Sequence, residues 1–194
     1  MANINHKPSK FMLNLLHVLP AFVEGKNDVL NVIIENNTGS LNKYEIITES
    51  GQLKLDRVGY SPIVYPFAYG AIPMTWDFDN DPLDIVIANV TEQFVPGSLV
   101  EIKIIGMMKF EDDGEVDDKI IGVVNDDKRN NHIKTIDDLG EYFKTETQYF
   151  WEKYKELKKP GTGVTKGFFD KAEAVKVIKE CEERYKTIYL KKFE

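Results

Sequence analysis

Four aspartates fall within eight residues of the chain, immediately ahead of an apolar run. They are Asp77, Asp79, Asp81 and Asp84. Carboxylates this close repel one another, and a divalent cation offsets the repulsion well because Mg²⁺ and Ca²⁺ prefer hard oxygen ligands. Mg²⁺ also keeps waters and shares its coordination shell with substrate phosphates. A solvated acidic turn is the alternative interpretation of these residues alone.

The same aspartates occupy the first, third and fifth positions of an EF-hand-like calcium loop. That loop needs glycine at its sixth position and glutamate at its twelfth, and the chain has Pro82 and Ala88 there. Pro82 favours an extended Asp81, and it leaves Asp84 as the first residue of a strand. A rigid loop that directs Asp79, Asp81 and Asp84 at one volume favours a catalytic metal site over a calcium buffer.

A second acidic segment, residues 111–118, carries six acids in eight residues ahead of the apolar strand expected at 120–124. One acidic hairpin tip is usually a solubility feature. Two such tips in one small protein rich in strands can together supply ligands to more than one metal ion.

Two strand-like segments, 43–48 and 52–57, are separated by three residues that end at Gly51. A three-residue loop with Gly51 in the left-handed conformation pairs residue 48 with residue 52 and places Lys43 opposite Arg57. Two opposed cations are costly on an ordinary sheet face. They suit a site for a polyanion, and the alternative is that both point into solvent.

Tyr65 and Tyr69 lie in a segment rich in aromatic residues and proline, 60–70, just upstream of the aspartates. A rigid, irregular segment of this kind can deliver two phenol groups to the acids. The alternative is that both tyrosines belong to the core and have hydrogen-bonded hydroxyls.

The chain has 194 residues, 42% hydrophobic and 29% charged, which is typical of a globular protein with a sizeable core. With 25 basic and 32 acidic residues its formal net charge is −7, which disfavours nucleic acid as a partner. The clustered acids point to cations instead. A single cysteine, Cys181, rules out an intrachain disulfide and is compatible with a reducing cytoplasm.

Residues 11–23 are apolar enough to raise a signal peptide as one interpretation. Asn14, His17 and Pro20 interrupt the segment, and no small-residue cleavage site follows it. We therefore expect residues 1–30 to form an N-terminal arm or helix packed on the body of a cytoplasmic protein. No run in the sequence is long enough to span a membrane.

Strand-like runs dominate the first two thirds of the chain, and helical spacing dominates the last third. One helix is expected from Thr135 toward Lys158, and a second is expected to open at Asp170 with Glu173 in a capping-box-like pattern. The expected buried face of the second helix is Val175, Ile178, Cys181, Tyr185 and Ile188. Strands followed by helices predict an α+β fold, with helices against a small closed or curled sheet.

Over residues 30–190 the chain resembles the soluble family I inorganic pyrophosphatases. The residues that carry the resemblance are Asp79-Asn80-Asp81-Pro82-Leu83-Asp84, which are similar to that family's D-x-D-P-x-D signature. The resemblance implies a small closed, OB-like five-stranded β-barrel with flanking hairpin strands and two main C-terminal α-helices. It implies a single domain over residues 1–194.

The resemblance also implies roles for the matching residues. The implied metal ligands are Asp79, Asp84, Asp112, Asp117 and Glu35. The implied substrate-binding residues are Lys43, Arg57, Tyr69, Lys119, Tyr154 and Lys155, with Glu45 and Tyr65 in support. Asp81 lies between two of the ligands and is stiffened by Pro82, so it is the candidate general base.

The sequence departs from the family pattern in three places. Asn80 replaces a frequent glycine, which asparagine tolerates at positive φ. Ala68 stands where an asparagine often precedes the second tyrosine, so one hydrogen bond to the loop is expected to be absent. The crowded hairpin acids leave Asp113 or Asp118 as alternatives to Asp112 or Asp117.

The function that follows from the resemblance is hydrolysis of inorganic pyrophosphate to two phosphates, by in-line attack of a metal-activated water. Several Mg²⁺ ions per site are expected, with Mn²⁺ or Zn²⁺ as substitutes, and pyrophosphate and phosphate as the ligands. A homo-oligomer is implied, a hexamer as in prokaryotic members, with His132 either at a subunit contact or on the surface. The alternatives are a non-catalytic metal-binding or scaffold protein, a small oligonucleotide-binding barrel, and another phosphohydrolase such as a nucleotide pyrophosphatase.

Overall fold

The computed structural model describes residues 14–193 of the chain. Within the segment expected to form an N-terminal arm or helix, residues 1–30, helix α1 covers Leu15–Val18, and residues 1–13 of that segment lie outside the described part. Asn14 caps α1 by accepting a hydrogen bond from the Leu16 amide at 3.1 Å. Leu16 and Ala21 are buried.

Nine strands follow in the described residues. They are β1 Val29–Asn36, β2 Asn42–Ile46, β3 Leu53–Val58, β4 Ala68–Ala71, β5 Asp84–Ile87, β6 Leu99–Asp112, β7 Glu115–Val116, β8 Lys119–Val124 and β9 Gly163–Phe169. Five of them close into a ring in the order β1-β4-β5-β8-β6, because β6 pairs back onto β1. Only β5 and β8 run parallel within the ring.

The predicted α+β, OB-like closed sheet is confirmed, although the ring is less regular than a simple barrel. Bulges interrupt the β1–β4 pairing between Ile34 and Asn36 and the β6–β8 pairing between Ile104 and Gly106. β6 runs for 14 residues and extends beyond the ring, where it pairs with β7 and β9.

Four strands of the ring, β1, β4, β5 and β8, bury both of their faces, which explains their mostly apolar sequence. In β1, Leu30 and Ile34 enter the main core cluster, whereas Ile33 faces the opposite side and packs with Leu16. Every residue of β1 is buried as a result. Helix α3, Lys171–Arg184, joins the main cluster, and helix α2, Glu141–Lys153, packs on a second, aromatic cluster.

The helical last third begins with a short 3-10 turn, Ile136–Leu139, that Thr135 and Asp138 cap reciprocally. Gly140, at φ 81°, separates this turn from α2, so the first expected helix is divided in two. Asp170 caps α3 as predicted, since its carboxylate accepts a hydrogen bond from the Glu173 amide at 3.0 Å.

After α3 the chain forms a wide π-helical turn, Tyr185–Tyr189, and then a 3-10 turn, Leu190–Phe193. Tyr185 is buried as expected, and Val175 packs against the core while partly exposed. The prediction that Ile188 is buried is wrong, because Ile188 is 38% exposed and Tyr189 is buried in its place. The wider turn shifts the apolar face by one residue.

The register of the β2–β3 hairpin differs from the prediction near its turn. Ile47 pairs with Gln52 through a 2.8 Å amide-to-carbonyl hydrogen bond, so the loop has four residues instead of three. A bulge between Lys43 and Tyr44 then restores the predicted pairing of Lys43 with Arg57. Gly51 has the expected positive φ, 72°.

Strand β9 is absent from the sequence-based prediction. Its burial alternates only weakly, and glycines stand at its first and fifth positions. Its pairing with β6 runs from Phe169 opposite Met107 to Gly163 opposite Asp112, and it therefore supports the acidic hairpin tip. None of the helices within residues 14–193 combines the length and the apolar character that crossing a bilayer would need.

Candidate active site

A cavity of about 320 Å³ opens where the ring, the β2–β3 hairpin and the end of α2 meet. Both acidic segments face it, as predicted. Its charged and phenolic lining residues are Glu35, Lys43, Glu45, Arg57, Tyr69, Asp79, Asp81, Asp84, Asp112, Asp113, Glu115, Asp117, Lys119, Tyr154 and Lys155. Every predicted site residue except Tyr65 is in this set.

The β4–β5 connection forms a tight loop that presents two aspartates to the cavity. The Asp77 amide donates to the Asp81 carbonyl at 2.7 Å, and the Asp81 amide donates to the Asp79 side chain at 3.1 Å. Asn80 sits between them at φ 68°, a conformation in which asparagine is tolerated in place of glycine. Asp79 and Asp81 therefore point into the site from a locally closed turn.

Asp77 has a different place from its neighbours. Its buried carboxylate accepts from the Phe78 amide at 2.9 Å and lies 3.7 Å from the Cys181 sulfur. Arg184 donates to the backbone carbonyls of Trp76 and Asp77, at 3.1 Å each. Asp77 thus anchors the loop to α3, which agrees with the rejection of an EF-hand arrangement.

Lys119 is the most buried cation of the site. β5 and β8 run parallel with Asp84 opposite Lys119, and the ammonium lies 2.6 Å from the Asp84 carboxylate. It also pairs with Asp117 and lies 4.8 Å from the centre of the Trp151 ring. Burial lowers the pKa of Lys119, but the two carboxylates outweigh that effect and raise it well above its usual value.

The acidic hairpin tip contributes Asp112 from the end of β6. Its carboxylate pairs with Lys155, and the Tyr154 hydroxyl lies 3.5 Å away. Burial raises the pKa of Asp112, but the Lys155 ammonium more than offsets this and the net shift is downward. The predicted Tyr154-Lys155 pair is therefore in the cavity.

The two alternative hairpin ligands behave differently. Asp118 accepts a hydrogen bond from the Phe110 amide at 3.1 Å and does not line the cavity. Asp113, at φ 58°, lines the cavity and pairs with the partly exposed Lys159. The structure thus places Asp112, Asp113 and Asp117 at the cavity, and Asp118 away from it.

The opposite wall comes from β1 and the β2–β3 hairpin. Glu35 is buried, and it accepts a hydrogen bond from the Ile46 amide at 2.9 Å. Lys43 pairs with Glu45, and the Arg57 Nη1 donates to Asp56 at 2.7 Å. The Arg57 Nη2 is buried without a partner among residues 14–193. Lys43 and Arg57 therefore face the cavity and not open solvent.

Tyr65 lies behind the cavity wall and not on its surface. It is 4% exposed, and its ring centre is 5.9 Å from that of Tyr69, which does line the cavity. The expected hydrogen bond of a core tyrosine is missing, because the Tyr65 hydroxyl has no partner within residues 14–193. Ala68, also buried, has no side-chain polar group to offer the loop.

Several carboxyls of the site hold protons more tightly than isolated ones. Burial, followed by the charges of Asp117 and Asp84, raises the pKa of Asp79 to about 8. Desolvation within the cavity and the charge of Asp84 raise the pKa of Asp81 to about 7, although the residue is exposed at the surface of the chain. Burial and Asp84 also raise the pKa of Glu35 well above its usual value. A bound cation would relieve both the desolvation and the repulsion.

The donor set suits a hard divalent cation. The acids of the cavity supply only oxygen ligands, and the buried Asp112 Oδ1 has no hydrogen-bond partner within residues 14–193. No three His, Cys, Asp or Glu side chains in that range form a ready-made metal cluster. Lys119 and Lys155 instead hold the carboxylates, so a metal ion would have to compete with their ammonium groups.

Two residues of the site were missed at the sequence level. Trp151 carried no predicted role, yet it lines the cavity, and its ring centre lies 4.8 Å from the Lys119 ammonium. Its position one turn before Tyr154 on α2 was the available signal. Glu115 lines the cavity from β7, and nothing in its sequence context distinguished it from the other acids of the tip.

Comparison with known proteins identifies the family. A sequence model described as inorganic pyrophosphatase matches residues 32–186. The inorganic pyrophosphatase of Geobacillus stearothermophilus is 40% identical over 161 residues, which cover 82% of this chain and 96% of that protein. That of Malacoplasma penetrans is 44% identical over 158 residues, which cover 81% and 86%.

Solved structures agree with the sequence relatives. The crystal structure of an inorganic pyrophosphatase from Neisseria gonorrhoeae matches with a TM-score of 0.84 at 36% identity, covering 89% of this chain and 99% of that one. The chain belongs to the inorganic pyrophosphatase family. The family predicted from the aspartate motif is confirmed.

Proposed function

We propose that the chain hydrolyses inorganic pyrophosphate to two phosphates. The observation that carries this proposal is the convergence of two acidic segments and four cationic side chains on one cavity of about 320 Å³. Such a site fits a small, highly charged anion that arrives with cations. Membership of the inorganic pyrophosphatase family supports the same conclusion.

The residues proposed to hold metal ions are Asp79, Asp84 and Asp117 for a tight first ion, with Asp84 shared by a second. Asp112 and Asp117 would hold ions that arrive with substrate, and Glu35 would contact them mostly through water. We propose Mg²⁺ as the physiological ion, with Mn²⁺ or Zn²⁺ as substitutes. Bound divalent ions supply a water of lowered pKa and neutralise charge on the reacting oxygens.

Asp81 is the proposed general base. It lies on the cavity in a closed turn, between the proposed metal ligands Asp79 and Asp84 in sequence, so its carboxylate is placed beside the water that those ions would hold. In this role Asp81 accepts the proton of the attacking water while the bond to the leaving phosphate breaks.

The cationic side chains are proposed to bind the phosphate oxygens. Arg57 is suited to a two-pronged contact, and its buried Nη2 is an available donor. Lys43 and Lys155 lie on the same cavity, and each is now paired with a carboxylate that a metal ion can also bind. Tyr69 and Tyr154 line the cavity as hydrogen-bond donors for the products.

The test is phosphate release from pyrophosphate, triphosphate and ATP, each measured with Mg²⁺ and with EDTA. Phosphate release from pyrophosphate is expected with Mg²⁺ and not with EDTA. Asp81→Asn should lower turnover roughly 100- to 10,000-fold with metal binding largely kept. Near-normal turnover in Asp81→Asn would refute its role as base. A protein inert toward all three substrates would favour the non-catalytic alternative, which no observation now favours.

The proposal extends to the setting of the enzyme. We propose a cytoplasmic protein that contributes to phosphate metabolism, which is compatible with the free, buried Cys181. We also propose a homo-oligomer, a hexamer in particular, which analytical ultracentrifugation would test. His132 is exposed and is therefore available for a subunit contact.

A further inference from the structure

The turn of the β2–β3 hairpin is held by two side chains from the N-terminal segment. Asn14 Nδ2 donates to the Thr48 carbonyl at 2.8 Å, and His17 Nε2 lies 2.7 Å from the same oxygen. Asn14 is only 2% exposed. Two donors on one carbonyl fix the position of a turn that is otherwise part of a separate two-stranded sheet.

The second ring nitrogen of His17 connects this contact to the C-terminal end of the chain. His17 Nδ1 lies 2.7 Å from the Tyr185 hydroxyl, and the ring stacks on Tyr185 and Tyr189 with centres 5.7 and 5.1 Å apart. Because Nε2 must carry a proton to donate to Thr48, a neutral ring accepts at Nδ1 from Tyr185. The tautomer is therefore set by its neighbours.

The hairpin has a second attachment at its middle. Glu35 accepts from the Ile46 amide at 2.9 Å, and the Asn36 side chain exchanges two hydrogen bonds with the backbone of Tyr44. Hydrogen bonds thus attach the hairpin to β1 near its middle and to the N-terminal segment at its turn, in addition to the apolar packing of Ile46 and Leu53. Loss of the hydrogen bonds at the turn would weaken the attachment that orients this end of the hairpin.

The N-terminal segment also packs against the floor of the cavity. Leu16 belongs to one buried cluster with Ile46 and Ala71, and both of these line the cavity. Its carbonyl accepts from the Met74 amide at 2.9 Å. This segment precedes residue 32, where the match to the family's sequence model begins.

We propose that Asn14 and His17 are positioning residues for substrate binding, which through Thr48 set the angle at which the β2–β3 hairpin presents Lys43 and Arg57 to the phosphates. The inference rests on the proposed phosphate-binding role of those two cations. Neither Asn14 nor His17 lines the cavity. Their loss should therefore weaken substrate binding and leave the chemical step nearly unchanged.

The decisive variant is Asn14→Asp, which has the same shape as the original side chain. It keeps the oxygen that caps α1 through the Leu16 amide, and it replaces the donor to Thr48 by an acceptor. We expect KM for pyrophosphate with Mg²⁺ to rise roughly 2- to 10-fold, the effect of losing a hydrogen bond, while kcat stays within about 2-fold. His17→Phe keeps the stacked ring and should raise KM similarly, whereas His17→Gln restores a donor and should rescue it.

Asn31→Asp is the matched control. Asn31 Nδ2 donates to the Pro20 carbonyl at 2.9 Å, so this variant makes the same chemical change toward the same segment without a contact to the hairpin. It should lower thermal stability and leave KM unchanged. Equal KM values for Asn14→Asp and Asn31→Asp would overturn the inference, as would failure of His17→Gln to recover KM relative to His17→Phe.

Arg57→Ala separates this inference from the proposed function. If Arg57→Ala raises KM and Asn14→Asp does not, the phosphate-binding role stands and the positioning role is wrong. If Arg57→Ala leaves KM unchanged, the phosphate-binding role itself fails, and the inference fails with it.

Discussion

Replacing Lys119 with methionine should destabilise the protein strongly when divalent ions are absent. The Lys119 side chain is 1% exposed, and its ammonium pairs with both Asp84 and Asp117. Methionine has nearly the same length and leaves little empty space, so the main change is removal of the charge. Two carboxylates would then share a poorly solvated site without a cation.

Removing one partner of a buried ion pair costs about 3–5 kcal/mol, because the remaining charge stays desolvated and uncompensated. For a chain of this size, about 1 kcal/mol corresponds to a shift of about 2–4 °C in melting temperature. Lys119→Met should therefore melt roughly 6–20 °C below the wild type with EDTA. Mg²⁺ should narrow the gap, because a bound ion can replace the missing ammonium between Asp84 and Asp117.

The assay is thermal unfolding at neutral pH with EDTA and with Mg²⁺, and Lys109→Met is the control. Lys109 also lies on a strand and pairs with Glu173 at 2.6 Å, but its side chain is 33% exposed. An ion pair of this kind contributes less than about 1 kcal/mol. Equal melting temperatures for the two variants with EDTA would refute the reasoning, and so would an equal response of both to Mg²⁺.

Two further predictions concern the sheet and the N-terminal histidine. A Cβ at Gly70 would lie 2.3 Å from the Ile33 carbonyl oxygen. Gly70→Ala should therefore lower the free energy of unfolding in urea by about 1–3 kcal/mol. An unchanged urea midpoint would contradict the close approach of β1 and β4. Burial lowers the pKa of His17 more than the Thr48 carbonyl and Glu49 raise it, so the unfolded chain binds the proton more readily. The difference in unfolding free energy between the wild type and His17→Gln should therefore be largest above the unfolded pKa of about 6.5 and decrease as the pH is lowered below it. Urea unfolding of both proteins at pH 7.5 and at pH 5.5 would measure this difference.

The acidic loop was predictable because its chemistry and its conformation are both local. The spacing of Asp79, Asp81 and Asp84 around Pro82 was enough to predict a rigid loop that directs the three carboxylates at one volume and runs into a strand. Asn80 has the positive φ at which asparagine can replace the glycine frequent in the family. The opposition of Lys43 and Arg57 was also predicted, although a bulge and a longer loop produce it together.

Some of the missed features depend on distant contacts. β9 has a weak pattern of its own and is a strand because the long β6 offers it a free edge to pair with. The shift from Ile188 to Tyr189 follows from the π-helical turn after α3, and the division of the first helix follows from the positive φ of Gly140, a local signal that the prediction overlooked. Tyr65 was expected either to line the site or to lie in the core with a hydrogen-bonded hydroxyl. It lies one layer behind Tyr69, because its ring packs in the aromatic cluster with Phe150.

The charge of the cavity predicts that cations accompany the substrate. Nine carboxyl side chains line it against four cationic ones, which leaves five negative charges when all of them are ionised. A free polyanion would be repelled by such a surface, because like charges interact strongly where solvent is partly excluded. The raised pKa values of Asp79 and Asp81 are the response of the protein alone, which lowers its charge by retaining protons. Two or three divalent ions would neutralise the same excess and leave the lysines and Arg57 free for phosphate, so metal binding and substrate binding are expected to be mutually dependent.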